Sequence, residues 1–182
     1  MFMMSGSNEG FTLIELLVTI IVLSITIAIA TPTLTSIISS NQLSTTTSLI
    51  ERTVAVTKME AIRRGHRVIM CLTNSSNTCD PSAPEQILVF SDADRTGSPS
   101  NNSDVIRTIQ LDYPTVTASY NRSYLAFSAI GYASGTNGTF TTCHLNGSGE
   151  MLIISTLGRT RRAIDYDGDG LVEKVPGAPI SC

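Results

Sequence analysis

The densest charge in this 182-residue sequence is Gly158-Arg159-Thr160-Arg161-Arg162, with three guanidiniums inside four positions. If the segment is extended, Arg159 and Arg161 project to one face about 6.5–7 Å apart, a spacing that can engage successive phosphates of one strand. Gly158 would let the backbone approach such a ligand closely. Two or three phosphate contacts imply weak, sequence-blind binding with a log–log salt slope of roughly −2 to −3. A polymer gripped by several copies would gain avidity. The simpler alternative is a solvated turn, or pairing with Asp165, Asp167 and Asp169 nearby.

Those three carboxylates are a second candidate. Asp165-Tyr166-Asp167-Gly168-Asp169-Gly170 places oxygen ligands at alternate positions with glycine sixth, as the start of an EF-hand calcium loop does. The closing bidentate glutamate is missing, because Pro176 stands there, and only Glu173 could substitute. An acidic turn is the preferred reading, and no cofactor is expected. Arg63, Arg64 and Arg67 form a third cluster, which helix-end cations paired with carbonyls or carboxylates explain more cheaply than a ligand does. Asp92 and Asp94 read as a turn after a strand. His66 and His144 are isolated and no GxSxG, HExxH or P-loop sequence occurs, so an enzyme is not expected.

These groups sit in a mildly acidic chain. Twelve Lys and Arg against fifteen Asp and Glu give a net charge of −3, which argues against coating nucleic acid by bulk charge. The average hides the layout, because eight of the twelve basic residues lie within 51–67 and 159–162.

The element that must anchor everything is at the N-terminus. Between Glu15 and Glu51 lie thirty-five residues without a formal charge, and Leu16 to Ala30 is apolar apart from Thr19, Ser24 and Thr26. As a helix, Phe11 to Thr31 spans about 30 Å, the hydrocarbon thickness of a bilayer. A cleaved secretory signal is the alternative, since Ala28-Ile29-Ala30 has a small-x-small form. Against it, no Lys or Arg precedes the apolar run, the run is long, and Glu15 lies inside it. A carboxylate within a membrane segment costs about 2.5–3.5 kcal/mol even on lenient scales, so Glu15 needs a specific partner.

Gly10-Phe11-Thr12-Leu13-Ile14-Glu15 closely resembles the class III signal of type IV pilins and type II secretion pseudopilins. The resemblance implies that a prepilin peptidase cuts after Gly10 and that Phe11 becomes the methylated N-terminus. It also implies that Glu15 pairs in the fibre with the terminal ammonium of a neighbouring subunit, which neutralises a charge that lipid alone penalises. One departure is the absence of basic residues from the leader. The chain then divides into leader 1–10, transmembrane and assembly helix 11–31, amphipathic helix 32–65, and a β-rich periplasmic head 66–182. Met59 to Gly65, Val68 to Cys71, Leu88 to Asp94 with Gly97, Val105 to Arg107, and Ile153 to Ser155 leading to Gly158-Arg159 resemble the GspH/FimT family. Membership implies a low-copy subunit, inserted once in the inner membrane and later near the fibre tip, whose partners are other minor and major pilins. Gly158 to Arg162 resembles the GRxR element that FimT-like pilins use to bind DNA in natural transformation. The competing assignments are an H-type pseudopilin of type II secretion and a purely structural tip subunit.

The expected fold is α+β and pilin-like, a long N-terminal helix packed on an antiparallel head. Pro32 sits where many pilins kink, and Ile37, Ile38, Leu49, Ile50, Val54, Val56, Met59 and Ile62 suit a helix burying one face. Ser44 to Ser48 is weakly helical and Gly65 is a natural C-cap. Strands are expected over Arg67–Leu72, Gln86–Ser91, Val105–Leu111, Val116–Tyr120, Tyr124–Phe127, Gly138–His144 and Met151–Thr156, separated by Asn, Ser, Gly and Pro clusters. Four cysteines, Cys71, Cys79, Cys143 and Cys182, allow three disulfide pairings. Cys71 with Cys79 and Cys143 with Cys182 is the preferred set, and zinc is the alternative.

Overall fold

The computed structural model describes residues 11–74, 78–80, 84–133, 135–168, 172–178 and 180–182, with the side chains of 30–33 left aside. Among the described residues one α-helix, α1 (Leu13–Arg64), is followed by eight strands, with a short 3-10 helix at Asn102–Asp104. These are β1 (Val68–Thr73), β2 (Gln86–Ser91), β3 (Val105–Gln110), β4 (Val116–Tyr120), β5 (Leu125–Phe127), β6 (Thr139–His144), β7 (Gly149–Ile154) and β8 (Thr160–Arg162). The chain forms two compact units that meet between Ile38 and Ser39.

In the first unit the helix starts two residues later than its sequence suggests, because Thr12 caps it. The Thr12 hydroxyl accepts the Glu15 N–H at 3.3 Å and its carbonyl accepts the Leu16 N–H at 3.2 Å, replacing donors that a helix start leaves unpaired. The apolar run is bare: Leu13 is 80% exposed and Ile21 48%. Its three polar residues are satisfied internally. Thr19 donates to Leu16 O at 2.8 Å, Ser24 to Ile21 O at 2.8 Å, and Thr26 to Val22 O at 2.7 Å, so none presents an unmet donor to hydrocarbon. The mean hydropathy reaches 2.7 over an 18-residue window, with none of that window buried, and the helix is long and apolar enough to cross a membrane. The helix is continuous through Pro32; the packing of that side chain lies outside the described residues.

In the second unit α1 buries only part of the face its large aliphatics suggest: Ile50 and Val54 are inward as expected, and others are not. Met59 and Ile62 are 65% and 51% exposed, and Ile37 and Ile38 are exposed in the first unit. The buried line is Leu43, Thr47, Ile50, Val54, Thr57 and Ala61, a spacing of three and four residues. Small and β-branched side chains let the helix approach the sheets closely. Their hydroxyls cost little because each finds a partner: Thr53 bonds Leu49 O and Thr57 bonds Thr53 O, both at 2.7 Å, and Thr47 meets Thr142 Oγ1 at 2.8 Å. The Ser/Thr run 44–48 is fully helical. Gly65 ends the helix with φ 70°, a conformation that glycine adopts without strain.

The strands form two antiparallel four-stranded sheets, ordered β3-β2-β1-β5 and β4-β6-β7-β8. Register follows apolar matching, with Met70 opposite Val89 and Phe140 opposite Leu152. Ile50, Val54 and Ala61 of α1 share one core with Met70, Leu72, Val89 and Phe127 of the first sheet and with Phe140, Leu152 and Ile154 of the second. A second cluster, Ile69, Cys71, Leu88 and Phe90, covers the other face of the first sheet, so all six residues of β1 are buried. A third joins Met151 of the second sheet to Ala163 and Ile180 of the C-terminal tail. Each fully buried large aliphatic or aromatic side chain stabilises by about 1.5–3 kcal/mol.

Candidate functional site

The basic segment is extended, as its candidate role requires. β8 pairs with β7, Ile153 opposite Arg161, so its side chains alternate between faces. Thr160 and Arg162 turn toward α1. Thr160 Oγ1 donates to Glu51 Oε1 at 3.2 Å. The Arg162 guanidinium lies 3.1 Å from Glu51 and 3.5 Å from Glu150, and it donates to Ser48 Oγ at 2.8 Å. Arg162 thus fastens β8 to α1, whereas its two neighbours in the cluster do not. Arg159 and Arg161 are exposed, and among the described residues no carboxylate pairs with either. They flank an open groove of about 430 Å³ lined also by Ile153 and Ser155.

Gly158 does a different job from the one its position suggests. It is buried with φ 68°, and a Cβ there would lie 2.5 Å from Phe127 Cε1 and 3.1 Å from Gly131 O. Its missing side chain therefore makes room for the protein's own core rather than for a ligand. The turn it completes is closed by Gly158 N–H to Ser155 O at 2.8 Å and Ser155 N–H to Arg159 O at 2.9 Å. Lys58 of α1 buttresses it by donating to Leu157 O at 2.9 Å. This turn takes Ser155 and Thr156 out of β7, which is why that strand ends at Ile154 rather than at Thr156.

The tail folds back toward the arginines. Glu173 N–H donates to Ile164 O at 2.9 Å, and Arg161 Nη2 donates to Lys174 O at 3.3 Å, which sets the Lys174 backbone beside the basic face. Asp165 Oδ1 accepts the Gly168 N–H at 2.7 Å, an acidic turn of the expected kind. Asp167 is exposed, while Asp169 lies outside the described residues. Glu173, the one candidate to close a calcium loop, is buried and already accepts the N–H groups of Tyr166 at 3.3 Å and Gly177 at 2.8 Å. Among the described residues no three His, Cys, Asp or Glu side chains are arranged to hold a metal ion.

The arginines at the end of α1 are internally compensated. Glu60 lies 2.6 Å from Arg63 and 2.7 Å from Arg64. Hydrogen bonds from Arg63 and then Arg64 hold its carboxyl down at about 2, against an ordinary 4.5. Arg67 lies 3.0 Å from buried Asp92 Oδ2, angled as an ion pair rather than a directed hydrogen bond, and its guanidinium sits 5.2 Å above the Tyr124 ring. Asp92 Oδ1 accepts the Gly97 N–H at 2.9 Å, and Asp94 accepts from Ser100 at 2.7 Å, the turn read from the sequence. Sequence reasoning passed over Arg95, which lies in this turn with φ 60°.

The cysteines are bridged as Cys71–Cys79 and Cys143–Cys182, the preferred pairing. At the other end of the chain Phe11 is 83% exposed and Glu15 is exposed on the first turn of α1. Gly10 lies outside the described residues.

A long helix bare in its apolar first half, and buried on one stripe against antiparallel sheets in its second, defines the pilin class of fold. A model of the prokaryotic N-terminal methylation motif matches residues 6–31, and one described as type II transport protein GspH matches residues 46–158. The chain belongs to the GspH family of type IV pilin-like proteins. Among solved structures it is similar to the type IV minor pilin FimU of Pseudomonas aeruginosa strain PAO1 in two crystal forms. One gives a TM-score of 0.55 at 21% identity, covering 79% of this chain and 96% of that one. The other gives 0.51 at 21% identity, covering 67% and 93%. No curated protein matches.

Proposed function

We propose that this protein is a minor type IV pilin that enters the fibre through its N-terminal helix and carries a sequence-independent DNA contact on β8. After cleavage behind Gly10 and methylation of Phe11, the segment 11–31 spans the inner membrane once with the head in the periplasm. Glu15 then pairs with the N-terminal ammonium of a neighbouring pilin, and the subunit reaches the pilus tip. Supporting this is the match to the methylation motif together with an apolar helical face that nothing in its own unit covers. Its role is structural rather than catalytic.

The observation that carries the DNA contact is the split of the arginine cluster. Arg162 is consumed by Glu51, whereas Arg161 on β8 and Arg159 in the turn just before it are exposed and pair with no carboxylate among the described residues. Two exposed guanidiniums two residues apart in sequence are suited to the backbone of a polyanion. A log–log salt slope of about −2 to −3 is expected. The test compares wild type with Arg159→Ala/Arg161→Ala, as full-length protein in detergent by gel shift at low salt and in cells by piliation and transformation. Lost retardation and lost transformation with pili intact is the expected result. Equal retardation of both proteins sinks the DNA contact. The family model's description favours a second reading, a pseudopilin of type II secretion; lost exoprotein secretion on deletion, with pili intact, would select it.

A further inference from the structure

We propose that the open pocket between the end of α1 and the 92–97 turn is a nucleotide subsite, which takes one unstacked nucleotide of single-stranded DNA and extends the β8 contact. The inference rests on the DNA reading given above for Arg159 and Arg161. The pocket has a volume of about 530 Å³ and is lined by His66, Arg67, Arg95, Phe127, Ser128 and Tyr132, among others, within the range that holds a small ligand.

Its charge balance favours an anion. Among the described residues that line it none is an acid; Asp92 nearby is buried and committed to Arg67 and to the Gly97 N–H, and Asp94, between the lining residues Ala93 and Arg95, accepts from Thr96 and Ser100. Arg95 is exposed, and among the described residues no carboxylate pairs with it. Its backbone adds a second observation. Arg95 is the one non-glycine residue with positive φ among those described, a conformation that glycine would adopt without strain. A guanidinium is kept at a position where the backbone would be better served by having no side chain at all.

The rest of the lining suits a base rather than a bare phosphate. Tyr132 is 45% exposed and offers a ring on which any base can stack. α1 ends at Gly65 on the pocket wall, and the last turn of a helix carries carbonyls without intrahelical partners, which can accept from exocyclic amines. A cationic side and an acceptor side together match a nucleotide better than either matches an inorganic anion.

The pocket is also continuous with the basic face. Ala133 N–H donates to Thr156 O at 2.9 Å, and a Cβ on Gly158 would touch Gly131 O. The loop carrying Tyr132 therefore lies directly against the turn that leads into Arg159. A flexible single strand can cross from Arg161 and Arg159 over this ridge and drop a base into the pocket. A duplex cannot do so without paying to unpair.

The experiment measures fluorescence anisotropy of the full-length protein in detergent with a labelled oligo(dC), whose bases carry an exocyclic amine, and with a duplex of equal length. Arg95→Ala and Tyr132→Ala are each expected to weaken single-strand binding about five- to tenfold and to leave duplex binding within twofold. Arg95→Ala should also reduce the single-strand salt slope by about one. Arg95→Gly keeps the test clear of folding, since it removes the guanidinium while relaxing the backbone: weakened single-strand binding with an unchanged or raised Tm supports the subsite. If Arg159→Ala/Arg161→Ala abolishes binding while the Arg95 and Tyr132 variants bind as wild type does, the subsite is overturned and the β8 contact stands. Equal weakening of both DNA forms by Arg95→Ala overturns it too, because the arginine would then supply only general charge. Unchanged DNA binding with lost pilus assembly would mark the pocket as a protein contact and overturn it. If wild type binds neither DNA, both readings fall together.

Discussion

Three arginines in a row of four residues have two different fates, and between Arg161 and Arg162 of β8 the difference is strand parity. Arg162 faces α1 and is satisfied by Glu51 and Ser48, while Arg159 and Arg161 face away. Arg162→Ala should therefore lower stability and leave DNA affinity alone, the reverse of Arg159→Ala/Arg161→Ala. The pair with Glu51 is more than a third exposed, so solvent screening limits the loss to about 1 kcal/mol. Thermal melts followed by circular dichroism, run beside the salt-dependent gel shift, check both halves. A weaker DNA salt slope in Arg162→Ala would show that this side chain leaves Glu51 to meet the ligand.

At the scale of the element, α1 is two helices in one. Over residues 13–29 its first half bonds the Thr19, Ser24 and Thr26 hydroxyls to its own backbone and leaves its aliphatics exposed, which suits an apolar solvent. Its second half inverts this, placing threonines inward and leaving Met59 and Ile62 exposed. The end of the helix carries its own clamp, with Glu60 between Arg63 and Arg64. A carboxyl lowered on folding contributes stability that is present above its unfolded value and lost as pH falls through its folded value. The Tm difference between wild type and Glu60→Gln should accordingly be constant above pH 4.5, shrink as pH falls, and close near pH 2. A difference that does not change across that window would show that the clamp contributes nothing through its charge.

Across the whole molecule the two disulfides have unequal reach. Cys71–Cys79 spans 8 residues and Cys143–Cys182 spans 39, and the second ties the end of the chain to β6. Constraint of the unfolded chain grows with loop length, so loss of the longer bridge should cost about 4 kcal/mol and loss of the shorter about 2.5 kcal/mol. Melting of the two paired Cys→Ser variants tests the order, and a greater loss from the Cys71/Cys79 pair would overturn it. The longer bridge also holds the tail whose Lys174 carbonyl receives Arg161, so the same variant should weaken the DNA gel shift.

The apolar segment from Phe11, the carboxylate within it, and the strand pattern of the head were legible in the sequence because each is a local property. Hydropathy over twenty residues and alternation over six need no knowledge of what lies across the core, and β2 and β4 follow their sequence patterns to the residue. The tertiary structure alone decided which face each side chain serves. Thr160-Arg161-Arg162 is too short and too polar to announce itself as a strand, and only pairing with β7 makes it one. The inward stripe of α1 was read at Ile50 and Val54 but not at Thr47, Thr57 and Ala61, because helix burial follows the shape of the partner sheets, where small side chains let the helix approach closely. Gly158 and Arg95 have roles set by atoms distant in sequence: Phe127 in one case, the end of α1 in the other. Local chemistry thus determined that this chain belongs among the pilins, whereas the spatial meeting of remote segments decided which of its arginines are committed to carboxylates.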